Sequence, residues 1–422
     1  MAARSVYVLP PLLALLFFVP PPPAAAQRAF ISQRDSTSAA TTVFDLTDGS
    51  VTPIGPEFLP DMRVTSSGEF FVFNAGTNSP WRVRRVSGGP AVTLPDGFAA
   101  QLVHPRDTAI FGVDAGGPVR VDLTGYHVWP NACAPSSVAE MDMAPGTDRL
   151  FQLCASGEVV VVAADSGAEV RRVTVAAAGQ VRQLMAGPAG TTFMAIVRTG
   201  AGGDLRRLEV ATGAVLASAP WPGIGPSFGL DHLVPGPSRS RALAALCSSV
   251  RATSTCSLYP VDLTTAIVDT SLGAILPGVG GLQRQAHSIS PDGEWLVSAG
   301  GTVASRVHLT TGQLAGQLTL RAGSAMAVTM AWPPLAPVVS APVVTRGLVD
   351  LSWTMPRESP AVTSHVLEAG LAPGSAAVSI NLGAVTSTRI PGVPPGRYYV
   401  RVRAVNASGT SVASNEVMVD VS

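Results

Sequence analysis

Few residues in this chain are typed and spaced for chemistry. Six histidines are available, His104, His127, His232, His287, His308 and His365. None belongs to an HxH, HExxH or mixed His/Cys cluster, the spacings that bring several ligands to one metal. His232 and His287 each stand just before a segment that reads as a hairpin near the axis of a repeat array, so they could face a central channel. A site needs several convergent groups, and two strand-start histidines do not make one. Asp45, Asp122 and Asp262 each precede Leu-Thr. Calcium needs more oxygen ligands than this, and aspartates near turns commonly hold local backbone. Gly200–Gly203 is not followed by the Lys-Ser/Thr of a phosphate cradle, and no GxSxG elbow occurs. No catalytic residue is assigned, and no cofactor or metal is expected.

The four cysteines point to oxidation rather than ligation. Cys247 and Cys256 flank a short polar loop between two apolar runs, and Cys133 and Cys154 flank a second hairpin. Neither spacing is the tight CxxC of structural zinc sites. Local pairing, Cys133 with Cys154 and Cys247 with Cys256, is the expectation, although four cysteines allow three connectivities.

The compartment agrees. Arg4, the apolar run Leu12–Val19 and the small residues Ala24–Ala26 read as a cleaved signal peptide over residues 1–26, with the mature chain starting near Gln27. Eight apolar residues cannot cross a bilayer core, which needs about 20. No cysteine follows for lipid attachment, and no later stretch reads as a transmembrane segment. An extracellular or periplasmic protein is expected, where disulfides persist. The 28 basic residues, all arginine, balance 28 acidic ones, so the basic excess of a nucleic-acid surface is missing. With 42 glycines and 36 prolines, short strands and turns are favoured over long helices.

Those strands recur. Apolar strand, polar turn, apolar strand appears at 43–52, 82–94, 119–128, 159–173, 205–217, 258–270 and 305–318. Turn centres Gly49, Gly89, Gly125, Gly167, Gly213, Thr265 and Gly312 return about every 44 residues, within the roughly 40–50 residue period of propeller blades. Glycine supplies the positive φ such turns need. A second hairpin accompanies the first, clearest at Ser288–Gly300 and weaker at 64–76, 103–117, 143–157 and 234–249. Two hairpins make a four-stranded blade that hides its faces only by stacking on neighbours. Ala29–Gln33 offers one strand where a hairpin is due, and Ser324–Trp332 offers one unmatched strand after the last repeat. Laying the second beside the first closes the ring and removes its edges. Seven blades result, with six or eight left open by the degeneracy of the repeats. The turn Ser290-Pro291-Asp292-Gly293 before an apolar strand resembles the bacterial propellers of the YVTN, TolB and WD40-like group, over residues 28–335 of a propeller domain read as 27–335. That resemblance implies the fold and little about a ligand.

Pro333, Pro334 and Pro337 mark a linker. Beyond it, Val349–Pro356 carries Trp353, Ser364–Gly370 is another strand, and Pro394–Val421 reads as two strands joined at Asn406–Gly409. Residues 336–422 closely resemble the fibronectin type III family. The resemblance implies an immunoglobulin-like sandwich in which Trp353 is the core tryptophan and Tyr398 the tyrosine corner, with Val400, Val402 and Ala404 alternating inward. Asn406-Ala407-Ser408 is a formal glycosylation sequon that reads as the turn itself. An all-β chain is therefore expected: a propeller followed by a type III module. The favoured role is a secreted, non-catalytic binding or scaffold protein with an unknown protein or carbohydrate ligand. The alternative is a secreted propeller enzyme (lactonase, lyase or glycan hydrolase) with its groups in the central channel.

Overall fold

The computed structural model describes residues 28–422, except 35–38, 46–49, 56–60, 75–78, 105–106, 123–124, 145–146, 200–201, 221–227, 237–238, 240, 249–254, 272–275, 281–286, 291–292, 301–302, 320–324, 332 and 357–358. The signal-peptide segment lies outside them. Among the described residues the chain is all-β, with the 3-10 turn Pro188–Gly190 as its one helical segment. No helix there is long and apolar enough to cross a membrane.

The strands form successive antiparallel sheets, here lettered in chain order. Sheet A holds β1 (Arg28–Arg34), β2 (Ala39–Asp45) and β3 (Val51–Gly55). Sheet B holds β4 (Asp61–Val64), β5 (Phe70–Asn74), β6 (Arg82–Arg85) and β7 (Val92–Thr93). Sheet C holds β8 (Ala99–Val103), β9 (Ala109–Asp114), β10 (Gly117–Asp122) and β11 (Gly125–Val128). Sheet D holds β12 (Val138–Met143), β13 (Arg149–Cys154), β14 (Glu158–Ala163) and β15 (Glu169–Thr174). Sheet E holds β16 (Val181–Ala186), β17 (Thr192–Thr199), β18 (Gly202–Glu209) and β19 (Val215–Pro220). Sheet F holds β20 (Phe228–Pro235), β21 (Ala242–Ser248), β22 (Thr255–Asp262), β23 (Ile267–Val268) and β24 (Leu276–Gly280). Sheet G holds β25 (His287–Ile289), β26 (Trp295–Gly300), β27 (Val303–His308) and β28 (Leu314–Thr319).

The next strand, β29 (Ala325–Ala331), returns to sheet A and pairs antiparallel with β1, Arg28 opposite Ala331 and Arg34 opposite Ala325. It supplies the innermost strand that the N-terminal segment lacks. The innermost strands then follow one another around an axis: β8 meets β12, β12 meets β16, β16 meets β20, β20 meets β25, β25 meets β29, and β29 meets β4. Arg63 on β4 completes the circuit by donating Nε–H to the Gln101 carbonyl on β8, 3.1 Å away.

Alternation explains why the sheets stack. On β13 and β14, Phe151, Leu153, Val159 and Val161 join Leu184, Phe193 and Ala195 of sheet E in one buried cluster. The intervening Leu150, Cys154, Val160 and Val162 join Ala109, Phe111 and Trp129 of sheet C in another. Middle strands buried on both faces therefore read as continuous apolar runs, whereas the outermost β15 is mostly exposed.

Beyond residue 333 two further sheets share one core. One contains β30 (Val338–Val339), β31 (Val343–Thr345), β32 (Leu348–Thr354) and β35 (Ser387–Ile390). The other contains β33 (Ser364–Gly370), β34 (Val378–Gly383), β36 (Gly396–Asn406), β37 (Gly409–Thr410) and β38 (Val417–Val421). Val349, Leu351 and Trp353 of the first meet Leu367, Val400, Val402 and Val419 of the second. The Tyr398 hydroxyl donates to the Pro394 carbonyl at 3.0 Å.

Candidate functional site

A shared turn follows six of the inner strands, β4, β8, β12, β16, β20 and β25. Thr65, His104, Ala144, Gly187, Gly236 and Ser290 each donate their backbone N–H to the carbonyl five residues on, and each carbonyl accepts from the N–H three residues on. Counting back from this turn aligns equivalent residues on successive inner strands. Four residues before it stand Glu140, Gln183 and His232, each just after an irregularity in its strand pairing. Such a bulge re-aims the next side chain.

The aligned residues reach across the seams between sheets. A Glu140 carboxylate oxygen accepts the Leu184 N–H at 3.2 Å. Gln183 makes a two-point contact with Leu233, accepting its N–H at 2.6 Å and donating to its carbonyl at 3.1 Å. His232 holds the same position on β20, and its ring stacks on His287 of β25, centroids 5.7 Å apart and planes 20° from parallel. Both imidazoles are buried. Two residues further along β12, Asp142 Oδ2 accepts the Ala186 N–H at 2.8 Å, and Oδ1 takes Arg239 Nη2 at 2.6 Å. Arg239 comes from the β20–β21 turn, so this pair passes over sheet E and joins sheets D and F. Its carboxylate and guanidinium are largely shielded, where a charge-assisted bond is strongest.

Between these strands lies a cavity whose walls include Glu140, Asp142, Gln183, Leu233, His287 and Ser288. Of the two histidines that the sequence left free to face a central channel, His287 lines this cavity, and His232 stacks on it. Glu140, Asp142, Gln183 and Arg239 were not anticipated. The signal was present in Val138–Met143, where Glu140 and Asp142 share one face of an otherwise apolar strand. Among the described residues no group of three or more His, Cys, Asp or Glu is arranged to hold a metal.

The other candidates sit elsewhere. His365 lies under Trp353, ring centroids 5.4 Å apart, and burial pushes its pKa below the usual histidine range. His308 stands edge-on to Trp295. Asp262 is a turn residue as expected, accepting the N–H of Thr264 at 2.8 Å and the hydroxyl of Thr265 at 2.8 Å. Asp122 engages Arg120 at 2.8 Å and His127 at 3.3 Å, a side-chain role the turn reading did not include. The Asp45 side chain lies outside the described residues. Cys133 and Cys154 form a disulfide, Cα atoms 5.3 Å apart, tying the loop before β12 to the end of β13. Cys247 and Cys256 stand directly opposite in the β21–β22 register, and their side chains lie outside the described residues.

Radial antiparallel sheets, closed by pairing the first and last strands of the array around an axial cavity, define a β-propeller. The sequence matches no family model and no curated protein. Solved structures do match. A protein from Lactobacillus plantarum aligns with TM-score 0.50 at 12% identity, over 72% of this chain and 99% of its own. A candidate 6-phosphogluconolactonase from Bacteroides fragilis aligns at 0.48 and 13%, over 73% and 98%. The Swd1 β-propeller domain of Myceliophteria thermophila aligns at 0.44 and 11%, over 69% and 94%. At these identities the likeness concerns the fold alone.

Proposed function

We propose that this chain is an exported, non-catalytic binding or scaffold protein. On this reading residues 1–26 are the signal peptide, 27–335 form a seven-bladed propeller, and 336–422 form a fibronectin type III module. The propeller presents a face to a protein or carbohydrate ligand, and the module positions it. The use of the channel's polar groups carries the reading. Asp142 has one carboxylate oxygen on a neighbouring backbone and the other on Arg239, while Glu140 and Gln183 hold the next sheet. Groups engaged this way support the ring, whereas a general acid or base must be positioned on the substrate's proton.

A second reading, a secreted lactonase, lyase or glycan hydrolase, is favoured by one observation: Glu140, Asp142 and His287 line the same cavity. Asp142→Ala separates the two. Under the scaffold reading it removes a shielded partner and lowers stability by about 1–3 kcal/mol, seen as a reduced Tm. Under the same reading, wild-type protein with its disulfides intact should show no turnover on a panel of lactones and glycans. Turnover in the wild type that disappears in Asp142→Ala or Glu140→Gln, with Tm unchanged, would establish the enzyme instead.

A further inference from the structure

Two arginines face the seam between sheets A and B. Arg82 and Arg84 on β6 stand opposite Phe73 and Phe71 of β5. Those two phenylalanines pack on Ile54 of sheet A and Ala331 of β29, so this face of β6 is the one turned to sheet A. Phe71 lies six residues after Thr65, where the shared turn of sheet B begins. In sheets C to G the residue paired with that place is Val121, Val162, Leu208, Val261 and Val307. A position that takes an aliphatic side chain in the five following sheets therefore carries a guanidinium, Arg84, in sheet B. Two residues earlier, at the place of Arg82, sheet E also has an arginine, Arg206. Arg206 is matched, donating to the Val175 carbonyl and to Asp204, each at 3.2 Å.

Arg82 and Arg84 are not matched in this way. Both are half-buried. The Nε of each is shut off from solvent and has no hydrogen-bond partner, and neither guanidinium forms an ion pair among the described residues. Arg84 lies over the Phe73 ring, 5.6 Å from its centroid, a contact that steadies the cation without supplying an acceptor. Arg85, on the other face of β6, already has Glu69 at 2.6 Å. A buried cationic donor without an acceptor is costly. Two of them on one strand face, about 7 Å apart along the strand, also repel each other.

We infer that Arg82 and Arg84 bind a tetrahedral oxyanion, a phosphate or sulfate group, in the outer part of the A–B seam. Such an anion directs oxygens toward two separated guanidiniums at once, whereas a lone carboxylate presents both oxygens to one fork. Phe71, Phe73 and Ile54 lie beneath the pair, and this apolar floor strengthens the charge-assisted bonds made above it. The site sits on the third strand of its sheet, away from the axial cavity, so it stands whichever reading of that cavity holds.

The test is calorimetric titration of the mature chain, at constant ionic strength, with inorganic phosphate, sulfate, methyl phosphate and acetate. Phosphate and sulfate should bind, with acetate weaker by about tenfold or more. Arg84→Val installs the residue type of the aligned positions, so it should keep the fold while weakening phosphate by about tenfold or more through loss of charge-assisted bonds. Arg82→Gln should weaken phosphate by a similar order, and it reports even where Arg84→Val disturbs the seam. Arg85→Gln, on the opposite face, should leave the affinity unchanged. Methyl phosphate as tight as phosphate identifies an ester carried by a larger ligand, and its exclusion identifies the free anion. Absence of phosphate and sulfate binding, acetate as tight as phosphate, affinity unchanged in either Arg84→Val or Arg82→Gln, or an equal loss in Arg85→Gln overturns the assignment.

Discussion

At the scale of single residues, environment decided what each group became. Tyr126 on β11 shows this most directly. Partial burial, then its hydrogen bond to Asp114, push its phenol up to about 12 from an ordinary 10.0. The folded protein therefore keeps that proton while the unfolded chain has begun to lose it. The associated stability is complete below about pH 10 and is lost as the pH rises from there through about 12. Ultraviolet titration should find one of the five tyrosines ionising last, and Asp114→Asn should bring it back toward the others. Nothing in the residues around Tyr126 in sequence announces this, because Asp114 is brought to it from β9. Asp262 was legible as a turn residue for the opposite reason, since its partners Thr264 and Thr265 are its sequence neighbours. Glu140 and Asp142 fall between: their spacing put them on one strand face, and only the neighbouring sheet gave them partners.

At the scale of elements, the hairpins were largely readable. Each outer hairpin found in the sequence has its pair of strands, from β2–β3 to β27–β28. One inner hairpin was missed. β16 and β17 are joined through Gly187-Pro188-Ala189-Gly190, a turn signal as strong as those recognised elsewhere but set in a run with little alternation. The outermost position of sheet F is also shared, with β23 pairing one end of β22 and β24 the other, a division no local pattern showed. The Cys133–Cys154 disulfide pins an inter-sheet loop across 21 residues of sequence. Closing a loop of that size constrains the unfolded chain by about 3 kcal/mol. A Cys133→Ala/Cys154→Ala variant should melt at lower temperature by calorimetry, and reduction should have little further effect through this pair. For Cys247 and Cys256, whose backbones face each other, peptide mapping without reductant is expected to recover a cross-linked β21–β22 fragment.

At the scale of the whole molecule, the C-terminal sheets are seated on the propeller. The Ala361 N–H donates to Ser66 Oγ at 3.0 Å, and Ser408 Oγ donates to the Ser67 carbonyl at 3.4 Å. Asp107 holds the same turn from sheet C, accepting the N–H groups of Ser66 and Ser67 at 2.6 and 2.8 Å. Asn406 and Ser408 are therefore buried in this joint: Asn406 donates to the Ala361 carbonyl and accepts the Ser408 N–H. Gly68 sits inside this joint with φ 76°. A side chain there would run into Ser408 Oγ and stand 3.0 Å from the Ala331 side chain on the closing strand β29. Gly68→Val should therefore loosen both the joint and the closure. The expected result is a single calorimetric transition splitting into two, with faster proteolysis near Pro333–Pro337.

The sequence alone determined that the described residues are built from strands, where most strands begin and turn, and which strand had no partner until β29 supplied one. These follow from side-chain alternation and turn chemistry, which act over a few residues. The tertiary structure alone decided which polar groups meet, because Glu140 with Leu184 and Asp142 with Arg239 are joined across propeller sheets, and Ser408 with Ser67 across the joint between the C-terminal sheets and the propeller. Side-chain pairing between elements far apart in the chain leaves no local periodicity to read.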